Sequence, residues 1–558
     1  MVTLPELRDA IFDAFDSAAE TWGRVAGNLD EIEAQYARTV QAPAKRHHGN
    51  SWSGVAADGA LTRIDAQSGV LRFSSAEARN IATGLESAGE TLRAAQNALR
   101  AVLERARVEE MTVRDDGSVT WSPTAPPDPS LVAERQAYDA AQAGKWNTAY
   151  DIRQGIDGAL RTATETDTQL AALLQKMAEA ARTGPIGDDA TQLAAITDHS
   201  RLAIDMRGGP DASAIPPPGA DPKSVAAWWA SLSQNDRQSF IAAYPERVGG
   251  LNGVPVVDRD QANQITVVRT VADLQARQGS LSEQEGKNYE GLVKLQGSIQ
   301  AHAADPNAAP LYVMAIDSSG EGKFAVAVGN PDTAKNTAVM VPGTTTTLEG
   351  VNNQIDRARR LQFTSDVMTP EAGDVAVVTW LGYNAPEIGP SVATPERAQQ
   401  AAVPLDSFID GVRVTHEGER GRVTVIGHSY GTTVVGEAAA TQHLDVDDIV
   451  AAGSPGMRTD HAADLGIGAG HVWVESAGND PVARLPQAGD LFGGAYPMGA
   501  APQDSRYDAN RLQVDTDGHS GYWEPESQSI RNQAAIVVGQ YDNAELARES
   551  TAGAGEAR

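Results

Sequence analysis

The residues best suited to chemistry lie together in one segment, Gly427-His428-Ser429-Tyr430-Gly431, which is the only G-x-S-x-G sequence in the chain. The apolar run RVTVI precedes this segment, and the helix-forming run TTVVGEAAA follows it. A serine in a sharp turn between a strand and a helix has an exposed hydroxyl, and neighbouring glycines leave the room that such a turn needs. We therefore predict that Ser429 is a nucleophile and that Gly427, His428 and Gly431 shape the turn. The alternative is a tight turn whose serine has no chemical role.

A serine nucleophile needs a base to accept its proton. Where a serine occupies this kind of turn, an acidic residue and then a histidine follow it along the chain. Four histidines come after Ser429, namely His443, His461, His471 and His519. His519 follows the strand-like run RLQVDTDG, and α/β sheets bind ligands in loops at the carboxyl ends of their strands. We predict that His519 is the base; the alternative is a loop histidine that only faces solvent.

The acid that orients this histidine is expected in a loop one strand earlier. Asp480 fits this position, because it lies in AGNDPV, directly after the strand-like run HVWVES. An aspartate before proline is also common in turns that have no catalytic role. Asp460, which follows the preceding predicted strand in SPGMRTD, is the second candidate. Glu475 ranks lower, because it lies inside a predicted strand.

Hydrolysis of an acyl group also needs two N–H donors for the oxyanion that forms on the carbonyl. One is expected to be the amide of Tyr430, which follows the nucleophile at the start of a helix. The other is expected after the run TAVMVPG, where Gly343 or Thr344 lets the backbone approach closely. The hydroxyls of Thr344 to Thr347 either contact substrate or are solvated. With the predicted nucleophile, base and acid, these donors indicate acyl transfer to water through an acyl-enzyme.

The elements that must position these residues belong to the second half of the chain. From about residue 310, short apolar runs alternate with helical patterns. Continuous apolar strands between helices indicate a mostly parallel sheet that is covered on both faces. We predict an α/β domain over residues 223–547, with the candidate residues at one end of its strands. The Pro/Gly-rich segment 183–222 is expected to be a linker, and 548–558 a disordered tail.

Residues 1–182 are predicted to form an all-α hairpin or bundle domain. Apolar residues three and four positions apart suggest a first helix with a coiled-coil-like seam; they are Leu4, Leu7, Ile11, Phe15, Ala18, Trp22, Val25, Leu29, Ile32 and Tyr36. The spacing resumes in a second helix, with Ser74 and Glu77 as a capping box at its start. Two such helices should pack antiparallel, because neither can bury its stripe alone. Around Asp-Gly, residues 112–121 predict a small β-hairpin.

Composition excludes several classes of function. The chain has 558 residues, no cysteine and a formal net charge of −29. A field of this sign repels phosphate backbones, so nucleic acid is not an expected partner. Thiolate sites are excluded, and neither an HExxH sequence nor a phosphate or dinucleotide loop occurs, so we expect no metal and no cofactor.

The sequence also bears on location. No apolar run approaches the roughly 18 residues that a membrane span needs. Acidic residues occupy the first turns, where a signal peptide would have a basic start. The protein is therefore expected either to be cytoplasmic or to reach the cell envelope or the exterior by a route that does not use a signal peptide.

Several segments in a fixed order resemble a known family. They are DPKSVAAWWASLSQNDRQSFIAAYPERVGGLNGVPVVDRDQAN, VMVPGTTT, VVTWLGYNAP and VTVIGHSYGTT. Together they resemble an actinobacterial α/β-hydrolase family formerly catalogued as a domain of unknown function, over about residues 221–545. The resemblance implies an α/β-hydrolase fold and an esterase or lipase-like activity. It also implies that Ser429, Asp480 and His519 are the nucleophile, acid and base of the family's catalytic triad.

The N-terminal region resembles a second family. Trp52-Ser53-Gly54 lies between the two predicted helices, and this arrangement looks like the WXG-type helical modules of type VII secretion. The resemblance implies a helical partner or the secretion machinery as a partner of residues 1–182. The tyrosine–acid signal that usually follows such modules does not occur directly after the helical hairpin.

Three functions remain open at this point. The leading one is a serine esterase for a small-molecule ester, whose cleft is covered by the loop 481–510, with Phe492 and Tyr496, or by the helical region. The same triad also cleaves amides, so an amidase or peptidase is the second. The third is a secreted interaction protein whose hydrolase domain is a non-catalytic scaffold.

Overall fold

The computed structural model describes residues 2–41, 43–44, 55–122, 132–183, 212–304, 308–370, 373–388, 390–483 and 498–547. The chain divides into two compact units, of which the first comprises Met1–Gln41 and Asp58–Ala214 and the second comprises Ala42–Ala57 and Ile215–Arg558. Some of the sequence predictions lie outside the described residues: Trp52-Ser53-Gly54, most of the linker, Phe492, Tyr496 and the tail 548–558.

The first unit is helical, as predicted. Its helices are α1 (Leu4–Asp9), α2 (Asp13–Tyr36), α3 (Val55–Val108) and α4 (Val132–Thr183). Strands β1 (Met111–Val113) and β2 (Val119–Trp121) form an antiparallel hairpin. The predicted capping box at Ser74 and Glu77 is wrong, because both residues lie inside α3. The segment before them contains no proline, and nothing in it stops the helix.

The core of the first unit buries α1 but little of α2. Buried members of this core are Leu4, Leu7, Phe12, Leu92, Leu99, Met111, Ile152 and Ile156. The predicted seam is interrupted in α2 at Trp22 and Ile32, whereas its other members Phe15, Ala18, Val25, Leu29 and Tyr36 are half-buried. Ile11 just before it and Trp22 and Ile32 within it are 80 %, 39 % and 50 % exposed, and Ala26 is the buried residue of this helix. Helical spacing predicts which residues share a face, but it does not decide whether another element covers that face.

The second unit is built on an eight-stranded sheet. Its strands are β3 (Leu311–Asp317), β4 (Lys323–Val328), β5 (Asn336–Val341), β6 (Val375–Leu381), β7 (Arg422–His428), β8 (Asp448–Ala452), β9 (Val472–Glu475) and β10 (Asn510–Arg511). The spatial order is β10-β9-β8-β7-β5-β6-β4-β3. Only the pairs β3–β4 and β4–β6 are antiparallel, so the predicted mostly parallel sheet is confirmed. Every residue of β6 is buried, which is expected of a strand covered on both faces.

Helices precede the sheet and connect its strands. They are α5 (Pro222–Ser231), α6 (Gln234–Ala243), α7 (Pro245–Gly249), α8 (Val256–Ala276), α9 (Glu283–Ala304), α10 (Val351–Asp366), α11 (Glu396–Thr415), α12 (Tyr430–Gln442) and α13 (Gln528–Val537). Helix α11 packs on α12, and α10 packs on α13. No helix among the described residues is long and apolar enough to cross a membrane.

The second unit begins before the predicted start at residue 223. Ile215 is buried in a small core with Val225 and Trp229. The guanidinium of Arg247 donates a hydrogen bond to the Ile215 carbonyl at 2.8 Å. Asp221 caps α5 by accepting from the Ser224 amide at 3.0 Å. The end of the predicted linker 183–222 is therefore packed into the second unit, because Ile215 buries its side chain in this small core.

Candidate active site

Ser429 occupies a strained turn between β7 and α12. Its backbone angles are φ 55° and ψ −129°, a region that costs a residue with a side chain about 1–3 kcal/mol. Ser429 is 5 % exposed. Its amide donates to the Ala452 carbonyl at 3.0 Å, which ties the turn to the end of β8. The sequence signal for this geometry is local, since strand, serine and helix are contiguous.

Two predicted glycines are required by close backbone contacts around this turn. A Cβ at Gly431 would overlap the carbonyl oxygen of Val341 at the end of β5. A Cβ at Gly427 would lie 2.7 Å from the Cα of Thr432 in the first turn of α12. Only glycine therefore lets β5 and the start of α12 pack so closely around Ser429.

The loop after β5 lies directly beside the serine. A Cβ at Gly343 would be 2.7 Å from Ser429 Cβ and 2.9 Å from the amide nitrogen of Tyr430. The next part of this loop is held by Thr345, whose φ is 63° and whose amide donates to the Pro386 carbonyl at 3.0 Å. The structure thus places the backbone of Gly343, and with it the adjoining Thr344, next to the Tyr430 amide. These are the groups that were predicted to form the oxyanion site.

The structure also joins Asp480 to His519. Nδ1 of His519 lies 2.9 Å and 3.0 Å from the two carboxylate oxygens of Asp480. Because a carboxylate only accepts, Nδ1 carries the proton, and Nε2 is left free to accept one. Asp480 is fully buried, whereas the side chain of His519 is 26 % exposed. The pair therefore consists of a buried carboxylate and an imidazole that is partly open to solvent.

The carboxylate of Asp480 is held by further donors. Tyr522 Oη donates to Oδ2 at 2.6 Å, and the Val482 amide donates to Oδ1 at 2.8 Å. Burial by itself raises the pKa of Asp480, but the hydrogen bonds from His519 and Tyr522 outweigh burial and lower the pKa below its ordinary value. Asp480 is therefore ionised at neutral pH. Sequence reasoning missed Tyr522, whose only signal is its position three residues after His519.

A two-residue segment at the end of β8 adjoins both halves of the site. Ala452 accepts the hydrogen bond from Ser429. The next residue, Gly453, has φ 59°, and a Cβ there would be 2.7 Å from Asp480 Oδ2 and 3.2 Å from His519 Cε1. One short stretch of backbone therefore contacts the serine on one side and the acid–histidine pair on the other. Sequence reasoning missed Gly453, because this role depends on residues far away along the chain.

Comparison with known proteins agrees with this architecture. A family model described as alpha/beta hydrolase matches residues 317–489. The uncharacterized protein Rv0963c of Mycobacterium tuberculosis (strain ATCC 25618 / H37Rv) is 32 % identical over 220 residues, which cover 38 % of this chain and 80 % of that protein. The chain belongs to the alpha/beta hydrolase family.

Other similar proteins cover the chain differently. The uncharacterized protein Rv2079 of the same strain is 34 % identical over 375 residues, which are 59 % of this chain and 57 % of that protein. The chain therefore spans a little over half the length of that relative. Among solved structures, esterase B from Lactobacillus rhamnosis with a tributyrin phosphonate has 13 % identity and a TM-score of 0.25, covering 47 % of this chain and 98 % of that one. Est1E from Butyrivibrio proteoclasticus has 12 % identity and a TM-score of 0.23, covering 41 % and 98 %.

The other acids considered from the sequence lie elsewhere in the chain. Asp460 is exposed. Glu475 is completely buried at the end of β9, where Oε2 accepts from Ser529 Oγ at 2.8 Å and from Gln533 Nε2 at 2.7 Å. Burial raises the pKa of Glu475 to about 8, so this carboxyl is mostly protonated at neutral pH. It is Asp480 that pairs with His519.

The other histidines also have different partners. His443 is exposed and ends α12 in a left-handed conformation. His461 bonds to the Arg506 carbonyl at 3.1 Å, and His471 bonds to Asp448 at 3.1 Å. Within the described parts of the chain, no cluster of three or more histidine and carboxylate side chains is suited to hold a metal ion.

Proposed function

We propose that this hydrolase is a serine esterase that cleaves carboxylic esters with Ser429 as nucleophile, His519 as base and Asp480 as the orienting acid. The observation that carries the proposal is the shared contact with Ala452 and Gly453. This segment brings a strained serine and a hydrogen-bonded acid–histidine pair, which are distant in sequence, to the same end of the sheet. A small-molecule ester is the proposed substrate.

The proposed reaction runs through an acyl-enzyme. The Oγ of Ser429 attacks the acyl carbon while Nε2 of His519 takes the hydroxyl proton. The tetrahedral oxyanion accepts hydrogen bonds from the Tyr430 amide and from the backbone at Gly343 and Thr344. The C–O bond then breaks, and His519 gives its proton to the leaving alcohol. Water, activated by the same imidazole, attacks the acyl-serine and releases the acid.

Asp480 serves this cycle by fixing the tautomer of His519 and stabilising its positive charge. Loss of this function in a serine triad typically lowers kcat about 10⁴-fold. The lowered pKa of Asp480 supports the proposal, since the acid must remain ionised while the imidazolium forms. Its hydrogen bond from Tyr522 helps to hold the carboxylate in this state.

A fluorophosphonate probe tests the proposal directly on the full chain. The expected result is one covalent adduct, which peptide mass spectrometry places on Ser429. Ser429→Ala should abolish the adduct, whereas Ser319→Ala, which changes an exposed serine in the β3–β4 turn, should label as the wild type does. Absence of any adduct on folded protein, or an adduct that survives Ser429→Ala, contradicts the proposal.

Ester and amide substrates are separated by a second measurement. p-Nitrophenyl esters with acyl chains of increasing length should be hydrolysed, and the matching p-nitroanilides should react far more slowly. Faster turnover of the anilides would favour the amidase or peptidase alternative. A chain that labels with phosphonate but hydrolyses neither series would have a substrate of another shape.

The role of the first unit stays a prediction from the sequence. Export without a signal peptide and binding of a helical partner through residues 1–182 both depend on the WXG resemblance at Trp52-Ser53-Gly54, which lies outside the described residues. Exposed apolar side chains at Ile11, Trp22 and Ile32 support a role in binding. Detection of the full chain in the culture medium of an expressing actinobacterium, and its absence when Trp52 is changed to Ala, would support export.

A further inference from the structure

His428, the residue before the proposed nucleophile, is bonded to the backbone of the proposed base. Its Nε2 lies 2.7 Å from the carbonyl oxygen of His519. A carbonyl oxygen only accepts, so Nε2 of His428 carries a proton and donates it. This hydrogen bond holds the main chain of His519 and leaves its imidazole free. Sequence reasoning assigned His428 only to the shape of the turn.

The imidazole of His428 is held in place on several sides. It is 8 % exposed. Its ring centroid is 4.8 Å from that of His519, with the planes 31° apart, and 5.0 Å from that of Trp523, with the planes perpendicular. Trp523 is held in turn, since the Arg357 guanidinium stacks 4.9 Å from its ring and Arg360 donates to its carbonyl at 3.2 Å. The donor at Nε2 therefore has little freedom to move.

His428 also keeps one protonation state. Burial, followed by the positive charge of Arg357 and the neighbouring imidazole of His519, lowers the pKa of His428 to about 3. The imidazole is therefore neutral throughout the range in which an esterase works. A neutral ring donates through Nε2 and adds no second positive charge beside the imidazolium that forms at His519.

We propose that His428 is a positioning residue that sets the location of the His519 imidazole relative to Ser429, by donating a hydrogen bond to the His519 carbonyl. This inference rests on the proposed function. Because His428 and Ser429 share a peptide bond, the same rigid turn carries the nucleophile and holds the loop of the base. A displacement of about 1 Å at a reacting group can lower a rate about 100-fold.

Two substitutions separate hydrogen bonding from packing. His428→Gln keeps an N–H donor, whereas His428→Phe keeps a flat ring but has no donor. We expect His428→Phe to lower both kcat on a p-nitrophenyl ester and the rate of phosphonate labelling about 10- to 100-fold with KM little changed. His428→Gln should recover most of that loss. His461→Phe is the matched control, because His461 also bonds a backbone carbonyl but does not contact the acid–base pair.

The outcomes distinguish the two proposals. If the wild type is not labelled on Ser429, the proposed function fails. If the wild type is labelled and His428→Phe reacts equally fast, or if the Gln and Phe variants lose rate alike, only the role of His428 is overturned. Urea unfolding of each variant shows whether it is folded, and His428→Met, a second variant without a donor, replaces the Phe variant if that one does not fold.

Discussion

Replacement of Glu475 by glutamine should stabilise the second unit at neutral pH. Glu475 is completely buried at the end of β9, and its Oε1 has no hydrogen-bond partner. Within the described residues no lysine, arginine or histidine forms an ion pair with it. Its other oxygen accepts from Ser529 and Gln533, and Gln533 Oε1 is itself a buried oxygen without a donor. An amide at position 475 keeps the acceptor and, like the protonated carboxyl, carries a donor, but it does so at every pH.

The size and sign of the effect follow from the pKa of Glu475. Burial raises it from 4.5 to about 8. Between these values the folded state holds a proton that the unfolded state has lost, so stability falls as pH rises, by about 1.4 kcal/mol per pH unit. At pH 7 the raised pKa of Glu475 therefore lowers the free energy of unfolding by about 3 kcal/mol. Glu475→Gln removes this cost, so its advantage over the wild type should be near zero at pH 4.5 and grow steadily up to pH 8.

Equilibrium unfolding in urea measures this difference. Wild type and Glu475→Gln are compared at pH 5, 6 and 7, with the fluorescence of buried tryptophans as the signal, and all other titrating groups cancel in the difference at each pH. Asp448→Asn is the matched control. Asp448 is equally buried, but Arg422 pairs with it at 2.9 Å and Tyr541 donates to it at 2.8 Å. Asp448→Asn leaves Arg422 without its ion-pair partner and should destabilise the protein.

Two results would refute this reasoning. A difference between wild type and Glu475→Gln that is independent of pH would mean that Glu475 does not titrate as its burial requires. A less stable Gln variant at pH 7 would mean that the carboxylate is ionised and has an interaction that compensates for burial. The same variant should label with phosphonate at the wild-type rate, because Asp480 and not Glu475 hydrogen-bonds to His519; a large loss of labelling would contradict this expectation.

Two further predictions concern the proposed catalytic groups. Asp480→Asn should lower kcat on a p-nitrophenyl ester about 10⁴-fold, because the amide favours the wrong tautomer of the base. Asp460→Asn, at an exposed position, is the control and should leave kcat unchanged. Equal losses of kcat in the two variants would contradict the assignment of Asp480. Gly343→Ala should lower kcat about 10²- to 10³-fold, since the new Cβ would lie 2.6 Å from the His428 carbonyl oxygen and 2.9 Å from the Tyr430 amide. Gly350→Ala, where a Cβ meets nothing within 4 Å, is its control, and a Gly343→Ala variant as active as this control would exclude an oxyanion site at that loop.

The architecture of the second unit could be predicted from the sequence because it follows from local patterns. Apolar runs such as VAVVTWL have no polar face to turn toward water, so they belong to strands covered on both sides. The helices of the first unit were equally predictable, but their burial was not. The exposed Trp22 and Ile32 of α2 have the spacing of a buried seam, and spacing contains no information about which element lies opposite.

The turn at Ser429 and the candidates for its partners are what the sequence determined by itself. Strand, serine, glycine and helix are contiguous there, and steric limits on one peptide segment are sufficient to predict the turn. Which of Asp460, Glu475 and Asp480 hydrogen-bonds to His519 was decided by tertiary structure. The answer depends on how the chain packs at the carboxyl ends of β8 and β9. This packing decides whether a carboxylate lies beside His519, in solvent or in the core.

The supporting contacts are also a property of the folded chain. His428 reaches the carbonyl of a residue 91 positions away, and Tyr522 reaches a carboxylate 42 positions away. Such pairs form only after parallel strands bring their carboxyl ends to the same edge of the sheet. No local pattern predicts these pairs, because the free energy that brings their members together comes from burial of the whole sheet and not from their neighbours in sequence.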